Sequence, residues 1–404
     1  MRNVLFAAPF PAEATLRFAR AAASLQGVRL LGAVQEVPRG DDARVFSDVV
    51  TLKDGLDSRQ LIEAARLLEH RHGKLHRVLG ILEPLQVQLG EVRQALGVPG
   101  TTAATADLFR DKARMKNELR RHGLPTARHR LLTRWSEAED FAREVGFPIV
   151  VKPPAGMGCK ATWRVKDLEE LRQALVASGA SEERPALAEE FMRGSEHSFD
   201  TITVGGEVRF HTISRYYPTP LEVMETPWVQ WVVVFPRDIS GPEFAEARAV
   251  GTKAVKQLGL ETGFTHMEWF RRENGSLAIG EIAARPPGAH FMDANSHAHG
   301  TDMYRAWARA VIDGAFDGPL ERKYAVGVAY LRGMGRGRVA AVTGVDRANA
   351  LVGRHVVESR LPTIGAPRSD SYEGDGYVIA RDPDVEVVKA AMKVVIETIR
   401  VECR

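Results

Sequence analysis

Thr265-His266-Met267-Glu268-Trp269-Phe270-Arg271-Arg272-Glu273-Asn274-Gly275-Ser276-Leu277-Ala278-Ile279-Gly280-Glu281-Ile282 is the run on which the reading of this chain turns. Two strand-like segments flank Asn274-Gly275, a pair that favours a two-residue hairpin turn. With that turn, position i faces position 549 − i, so Glu268 faces Glu281. Opposed side chains of an antiparallel pair stand about 5 Å apart at Cβ, where like charges repel. A shared proton would relieve the repulsion, and a divalent cation, which prefers hard oxygen ligands, would do so better. A slipped register would instead send the two glutamates to separate solvated surfaces.

A second run, Val150-Val151-Lys152-Pro153-Pro154-Ala155-Gly156-Met157-Gly158-Cys159-Lys160-Ala161-Thr162, ends a strand on a lysine and continues as a Gly-containing loop. Gly156 and Gly158 let backbone N–H groups turn toward an anion. The spacing is not that of a Walker loop, which needs a terminal Lys-Ser/Thr. A solvated turn carrying two surface lysines is the other reading of the same residues.

Outward from these runs, the 404 residues exceed one ordinary compact core and predict two to four packed units. Apolar residues are 44% and charged residues 26%, with a net charge of +3, the profile of a soluble globular protein. No basic block is long enough to track a phosphate backbone, which argues against a nucleic-acid partner. No stretch approaches the roughly 20 apolar residues of a membrane span. The apolar start of the chain is broken by Pro9, Pro11, Glu13 and Arg17, too early for a signal peptide. Two distant cysteines, Cys159 and Cys403, fit a reducing compartment, and the expected location is cytoplasmic.

The N-terminal hundred residues alternate short apolar runs (Val4–Ala8, Val28–Val34, Val78–Leu82) with helical patterns (Ala12–Leu25, Arg59–Arg71, Leu85–Leu96), which predicts a parallel sheet flanked by helices. A helix is expected at 108–122, capped by Asp107. Ser136 with Glu139 and Asp167 with Glu170 read as capping boxes. A hairpin is expected around Gly205-Gly206, helices at 242–258 and 302–313, and a closing helix capped by Asp382-Pro383. The aromatic, Pro-rich stretch 215–240 reads as part of a pocket wall.

In this order the motifs resemble the ATP-grasp superfamily, in particular its carboxylate–amine ligases. The resemblance covers about 80–315 and implies four parts. These are a Rossmann-like N-terminal domain (1–106), a small α+β lobe with connecting helix and phosphate flap (107–192), a large lobe with metal and acceptor site (193–316), and a β-rich C-terminal subdomain (317–404). The fold class is thus α/β and α+β multidomain, with two lobes clasping a nucleotide. Asp111-Lys112 matches the family's phosphate lysine, and Met115-Lys116 follows it. Lys152 matches a second phosphate contact, and Gly156, Gly158 and Cys159 the flap. Cys159 stands where the family often has serine, and Ala161 where it has glycine. Glu189, Glu190, Phe191 and Met192 match the adenine hinge, and Glu196 the ribose contact. Glu268 and Glu281 match the Mg²⁺ ligands. Ala283 replaces an asparagine that often assists them. Arg285 matches the arginine at the γ-phosphate. His290 lies in the loop resembling the acceptor site. Arg215 is a candidate for a substrate carboxylate or a plain surface charge. His266 is expected to be a packed neighbour of the metal site.

The resemblance implies ATP with Mg²⁺, or Mn²⁺ in its place. It also implies an acyl-phosphate route joining a small carboxylate to an amine, with amino acids among the candidates, ADP and phosphate as products, and a homodimer as one assembly. Lys152 and Arg285 would be the catalytic cations. Two alternatives stay open on the sequence: a non-amine acceptor, and a nucleotide-binding regulator without ligase activity, to which Ala283 points.

Overall fold

A computed structural model of the chain describes every residue except Met157, which lies inside the expected flap. The first unit carries β1 (Arg2–Ala7), α1 (Glu13–Ala23), β2 (Val28–Val34), β3 (Asp48–Thr51), α2 (Ser58–His72), β4 (Leu75–Leu79) and α3 (Gln86–Leu96). Its strands form a parallel sheet in the order β3-β2-β1-β4. Val4 and Phe6 of β1 pack toward α1, while Leu5 and Ala7 pack toward α2 and α3. Both faces are covered, which is why β1 is apolar without a break from Val4 to Ala7 instead of alternating. The fourth strand begins at Leu75 and stops at Leu79, earlier than its apolar run suggests, and a one-turn segment, Glu83–Leu85, follows.

Two helices, α4 (Ala103–Arg110) and α5 (Lys112–Arg121), stand where one was expected at 108–122. The break falls at Asp111, whose carboxylate accepts hydrogen bonds from the Ala113 and Arg114 amides and so starts a new helix. Asp107 is therefore no cap. The second unit contains β5 (His129–Leu132), α6 (Trp135–Val145), β6 (Ile149–Lys152), β7 (Trp163–Val165), α7 (Leu168–Ser178) and β8 (Ala186–Glu190), with sheet order β5-β8-β6-β7. Asp167 and Glu170 form the expected box: Asp167 accepts from the Glu170 amide and Glu170 from the Lys166 amide. Ser136 and Glu139 form none, because α6 starts at Trp135 after Arg134.

The third unit is built on β9 (Gly194–Val204), β10 (Glu207–Tyr217), α8 (Pro220–Glu225), β11 (Trp231–Phe235), α9 (Pro242–Gln257), β12 (Gly263–Arg272), β13 (Leu277–Ala283), α10 (Phe291–His299) and α11 (Met303–Asp313). The remainder adds β14 (Ala325–Leu331), β15 (Met334–Gly335), β16 (Val339–Thr343), α12 (Val345–Val352), β17 (Val356–Arg360), β18 (Gly376–Asp382), α13 (Val385–Thr398) and β19 (Arg400–Cys403). Three strands of the tail do not form a sheet of their own. They extend the central antiparallel sheet, whose order is β13-β12-β9-β10-β11-β14-β18-β17. Only β15-β19-β16 stand apart. β14 joins the tail to this sheet by pairing with the whole of β11, from Trp231 to Phe235. The closing helix is capped by Asp384, not Asp382, through the Glu386 amide, and buries Val388, Ala391, Met392 and Val395.

Polar contacts clasp the units together. Arg17 of α1 reaches Asp293 of α10 at 2.5 Å and Glu358 of β17 at 3.7 Å. Tyr304 and Tyr377 add hydroxyl donors to the same two carboxylates. No helix among the described residues is long and apolar enough to cross a membrane.

Behind the large sheet, α9 lies close enough to β9 that Gly251 has no room for a side chain. A Cβ there would stand 2.4 Å from the Phe199 ring. Gly251→Val is expected to cost about 1–3 kcal/mol through overpacking, read as a lower urea midpoint. An unchanged midpoint would show that the helix and the sheet do not press together at this point.

Candidate active site

The two glutamates meet as the turn arithmetic anticipated, but by another path. Near the turn the register is Arg271↔Leu277, and the Arg272 amide donates to the Ser276 carbonyl. The loop is therefore three residues, Glu273-Asn274-Gly275, closed by Gly275 at φ +82°, the type I turn with a left-handed residue that three-residue hairpins use. The register then shifts between Glu268 and Trp269, with Gly280 as the extra residue. The longer loop and the bulge cancel, and Glu268 pairs with Glu281. A side chain at Gly280 would crowd the Phe270 ring and the Glu268 carbonyl, so the bulge suits glycine. Across the other edge of β12, Glu268 pairs with Ser198 and Phe270 with Glu196, which puts Glu196 on the same face as the hairpin glutamates. Burial, then Glu268, and beyond them Glu281, push the Glu196 carboxyl well above its usual range.

Cations close on this face from the second unit. Lys112 Nζ lies 3.1 Å from Glu281 and donates to the Gly156 carbonyl at 2.8 Å. Lys152 Nζ lies 3.0 Å from Glu189 Oε2, and Lys116 Nζ lies 3.1 Å from Glu189 Oε1. Lys116, which is fully buried, also donates to the Gly280 carbonyl at the bulge. Burial opposes the charges of Glu189, Lys152, Lys116 and Glu281. For Glu189 the two lysines outweigh it and hold the carboxyl down to about 2. For Lys152, Glu189 and then Glu281 outweigh it and raise the ammonium. For Lys116 burial wins and lowers it. Glu281 is lowered: burial works against its charge, and Lys112 and Lys152 overcome it.

Arg285 completes the ring. Its Nε donates to Glu83 Oε2 at 3.1 Å, and Arg110 donates to Glu83 Oε1 at 2.6 Å. Glu83 belongs to the first unit and is 6% exposed. Arg110 also donates to the Ala155 carbonyl at 2.7 Å and the Gly156 carbonyl at 3.3 Å, so the start of the flap rests on Arg110 and Lys112. In the flap, Gly158, Cys159 and Ala161 all have left-handed φ (+66°, +56° and +49°). Burial, with Glu268 and Glu196 nearby, pushes the Cys159 thiol up.

Beneath the glutamates, the His266 imidazole has its Nδ1 2.5 Å from Asp200 and its Nε2 3.7 Å from Glu268. Burial opposes its charge, Asp200 overrides that, and the imidazole is pushed up to about 9.

The hinge residues divide by role. Glu189 is spent on two lysines, and Glu190 on Arg128 and Arg272 at 2.9 and 3.0 Å. The Glu190 and Phe191 amides donate to the Arg128 and Pro148 carbonyls. Among the described residues, none hydrogen-bonds the Met192 amide or carbonyl. The expected backbone edge thus narrows toward Met192, since two of its N–H groups are already engaged inside the protein.

Arg215 lies apart from the paired glutamates. It pairs with His197, and His197 with Trp269, so it lies on the sheet face opposite Glu268, with its guanidinium 4.9 Å from the centre of the Tyr217 ring. It lines a groove of about 970 Å³ with Trp228 and Arg332, which also takes in Glu196 near the strand end. His290 is likewise committed elsewhere: Nδ1 lies 2.9 Å from Asp293 and its ring packs on Tyr377 at 3.7 Å between centroids. Several residues of the site had no motif to mark them, namely Glu83, Arg110, Asp200 and Glu373. Burial raises the Glu373 carboxyl, against the pull of His290, Arg285 and Arg360. A sequence signal existed only for Lys116, four residues and so one helical turn after Lys112.

The arrangement sets three carboxylates on one sheet face and brings lysine and arginine cations against it. The residues fit a divalent ion, which would relieve the repulsion between buried Glu196 and the half-buried Glu268 and Glu281.

Residues 117–294 match the family model described as ATP-grasp domain. An L-arginine-specific L-amino acid ligase of Bacillus subtilis is 25% identical over 245 residues, 59% of this chain and 58% of that protein. A D-alanine–D-alanine ligase B of Chromobacterium violaceum is 28% identical over 48% of this chain and 63% of its own length. The chain thus spans about three fifths of the length of these curated relatives. The crystal structure of an L-amino acid ligase from Bacillus licheniformis superposes with a TM-score of 0.82 at 18% identity, over 99% of this chain and 98% of that one. That of an N5-carboxyaminoimidazole ribonucleotide synthetase from Thermotoga maritima gives 0.73 at 19% over the whole of both chains. Residues 117–294 are thus similar to an ATP-grasp domain, and the whole chain shares the fold of these solved structures.

Proposed function

We propose that the protein is an ATP-dependent carboxylate–amine ligase that forms an amide or peptide bond through an acyl phosphate, releasing ADP and phosphate. The observation that carries this reading is that Glu196, Glu268 and Glu281 share one sheet face, with the Lys112 ammonium 3.1 Å from Glu281 and the charges of Lys152 and Arg285 close by. Such a site suits a triphosphate with its metal better than any neutral ligand. The relatives' names add amino acids as candidates for both the carboxylate and the amine.

A carboxylate does not acylate an amine at neutral pH, because oxide is a poor leaving group. Transfer of the γ-phosphoryl group to the carboxylate oxygen supplies a better one. The nucleophile then forms the C–N bond, the C–O bond to phosphate breaks, and the amine proton passes to base or solvent. The protein's task is to place the reactants in line and neutralise charge on the moving phosphoryl group. Lys112 and Lys152 face the phosphate side, Arg285 the acyl phosphate, and Glu268 with Glu281 would hold Mg²⁺ or Mn²⁺. That ion would supply charge neutralisation between the phosphates. Lys116 and Glu189 set the height of Lys152. The flap from Ala155 to Thr162 would cover the acyl phosphate from water. Arg285 and Glu373 border the space left for the acceptor, and His290 lies at its margin, tied to Tyr377.

Incubating the protein with ATP, Mg²⁺ and pairs from a pooled amino-acid mixture, then weighing the products, tests the reading. ADP formation that depends on two amino acids, with a matching dipeptide mass, is the expected result. Tight ATP binding with no turnover for any pair of carboxylate and acceptor would favour a regulator instead.

Three variants sharpen this. Glu281→Gln should lower ADP formation by about 100-fold or more, the scale on which removed electrostatic partners act, with circular dichroism unchanged. Full activity would end its assignment to the metal. Lys152→Ala should chiefly raise the Michaelis constant for ATP, and an unaltered constant would count against it. Glu189→Gln leaves two buried lysines facing a neutral amide and should cost about 3–5 kcal/mol in a urea titration.

A further inference from the structure

The buried polar line beneath the hairpin has no part in the reading so far, and it crosses three strands. Ser214 of β10 and Ser198 of β9 share a hydrogen bond at 2.8 Å. Ser198 Oγ donates to Asp200 Oδ2 at 3.1 Å. Asp200 Oδ1 takes His266 Nδ1 at 2.5 Å, and His266 Nε2 points at Glu268 Oε1, 3.7 Å away. Ser198, Ser214 and Asp200 are at most 1% exposed. The imidazole has little freedom. Its edge meets the Phe291 ring at 5.5 Å, and the residue opposite it on β13 is Ala283, which leaves the ring its space.

A side chain so enclosed has one ring nitrogen fixed by Asp200 and the other presented to Glu268. The bond at Nδ1 decides which way Nε2 faces. A glutamate, by contrast, has three rotatable bonds, and a carboxylate that must meet an ion in one orientation loses affinity when it wanders. Resting on the metal assignment made above for Glu268, we propose that His266, oriented by Asp200, is a positioning residue that fixes the Glu268 carboxylate for cation binding. His266 itself touches neither ion nor substrate. It acts through one contact, Nε2 to Glu268 Oε1.

Two near-isosteres separate the two ends of the ring. His266→Gln places an amide nitrogen near the position of Nε2 and gives up the Asp200 contact. His266→Asn places one near the position of Nδ1 and gives up the Glu268 contact. The measurement is Mn²⁺ binding to the full chain saturated with ADP, following free Mn²⁺ by electron paramagnetic resonance. ADP affinity in EDTA and the thermal midpoint are recorded in parallel. His266→Asn and His266→Ala should bind Mn²⁺ about 10- to 100-fold more weakly, the usual cost of losing such a partner, while ADP affinity in EDTA stays at the wild-type value. His266→Gln should recover most of the loss. Wild-type Mn²⁺ affinity in the Asn variant, or equal losses in Gln and Asn, would overturn the proposal and leave the metal assignment standing. If the wild-type protein with ADP holds no Mn²⁺ at all, the nucleotide and metal reading itself falls, and this proposal with it.

Discussion

The molecule is organised around a repulsion. Glu268 and Glu281 are held opposite one another on paired strands, and Glu196 stands beside them. Three acids sharing one sheet face, one of them buried, need positive charge built in around them. The chain supplies it from separate segments: Lys112 and Lys116 from a helix, Lys152 from a strand end, and Arg285 from the loop after β13. Because these segments belong to different units, the demand for charge balance ties the units together. Glu189 between two lysines and Glu83 between two arginines are the same solution applied one layer out.

Much of this was legible in the order of residues. A strand-forming run around Asn-Gly announces a hairpin, and the hairpin pairs the acids. The pairing came out right although two local details differed, since the third loop residue and the bulge at Gly280 displace the register in opposite senses. A bulge has no strong composition signal beyond a glycine in a strand. Its presence follows from tertiary needs: the Lys116 ammonium takes the Gly280 carbonyl, and the Phe270 ring fills the space where a side chain would be.

The unread parts have a common cause. Whether a charged residue faces the site depends on strand parity and on contacts hundreds of residues apart. Nothing in the sequence tells which face Arg215 takes, and its place opposite His197 sets it on the face away from Glu268. Glu83 looked like any acid before a helix, yet Arg285, 202 positions later, reaches back to it. Asp200 looked like a polar residue on a hairpin strand. The extension of the central sheet by β14, β18 and β17 was equally hidden, because short strands carry no label for the sheet they will join.

Glu83 carries one more implication. The central lobes obtain the counter-charge for Arg110 and Arg285 from a domain that precedes them in the chain. Transplanted onto a foreign N-terminal partner, those lobes would arrive with two guanidinium groups unanswered. A foreign partner would therefore have to offer an acid at the same spot for both guanidinium groups to keep their ion pairs.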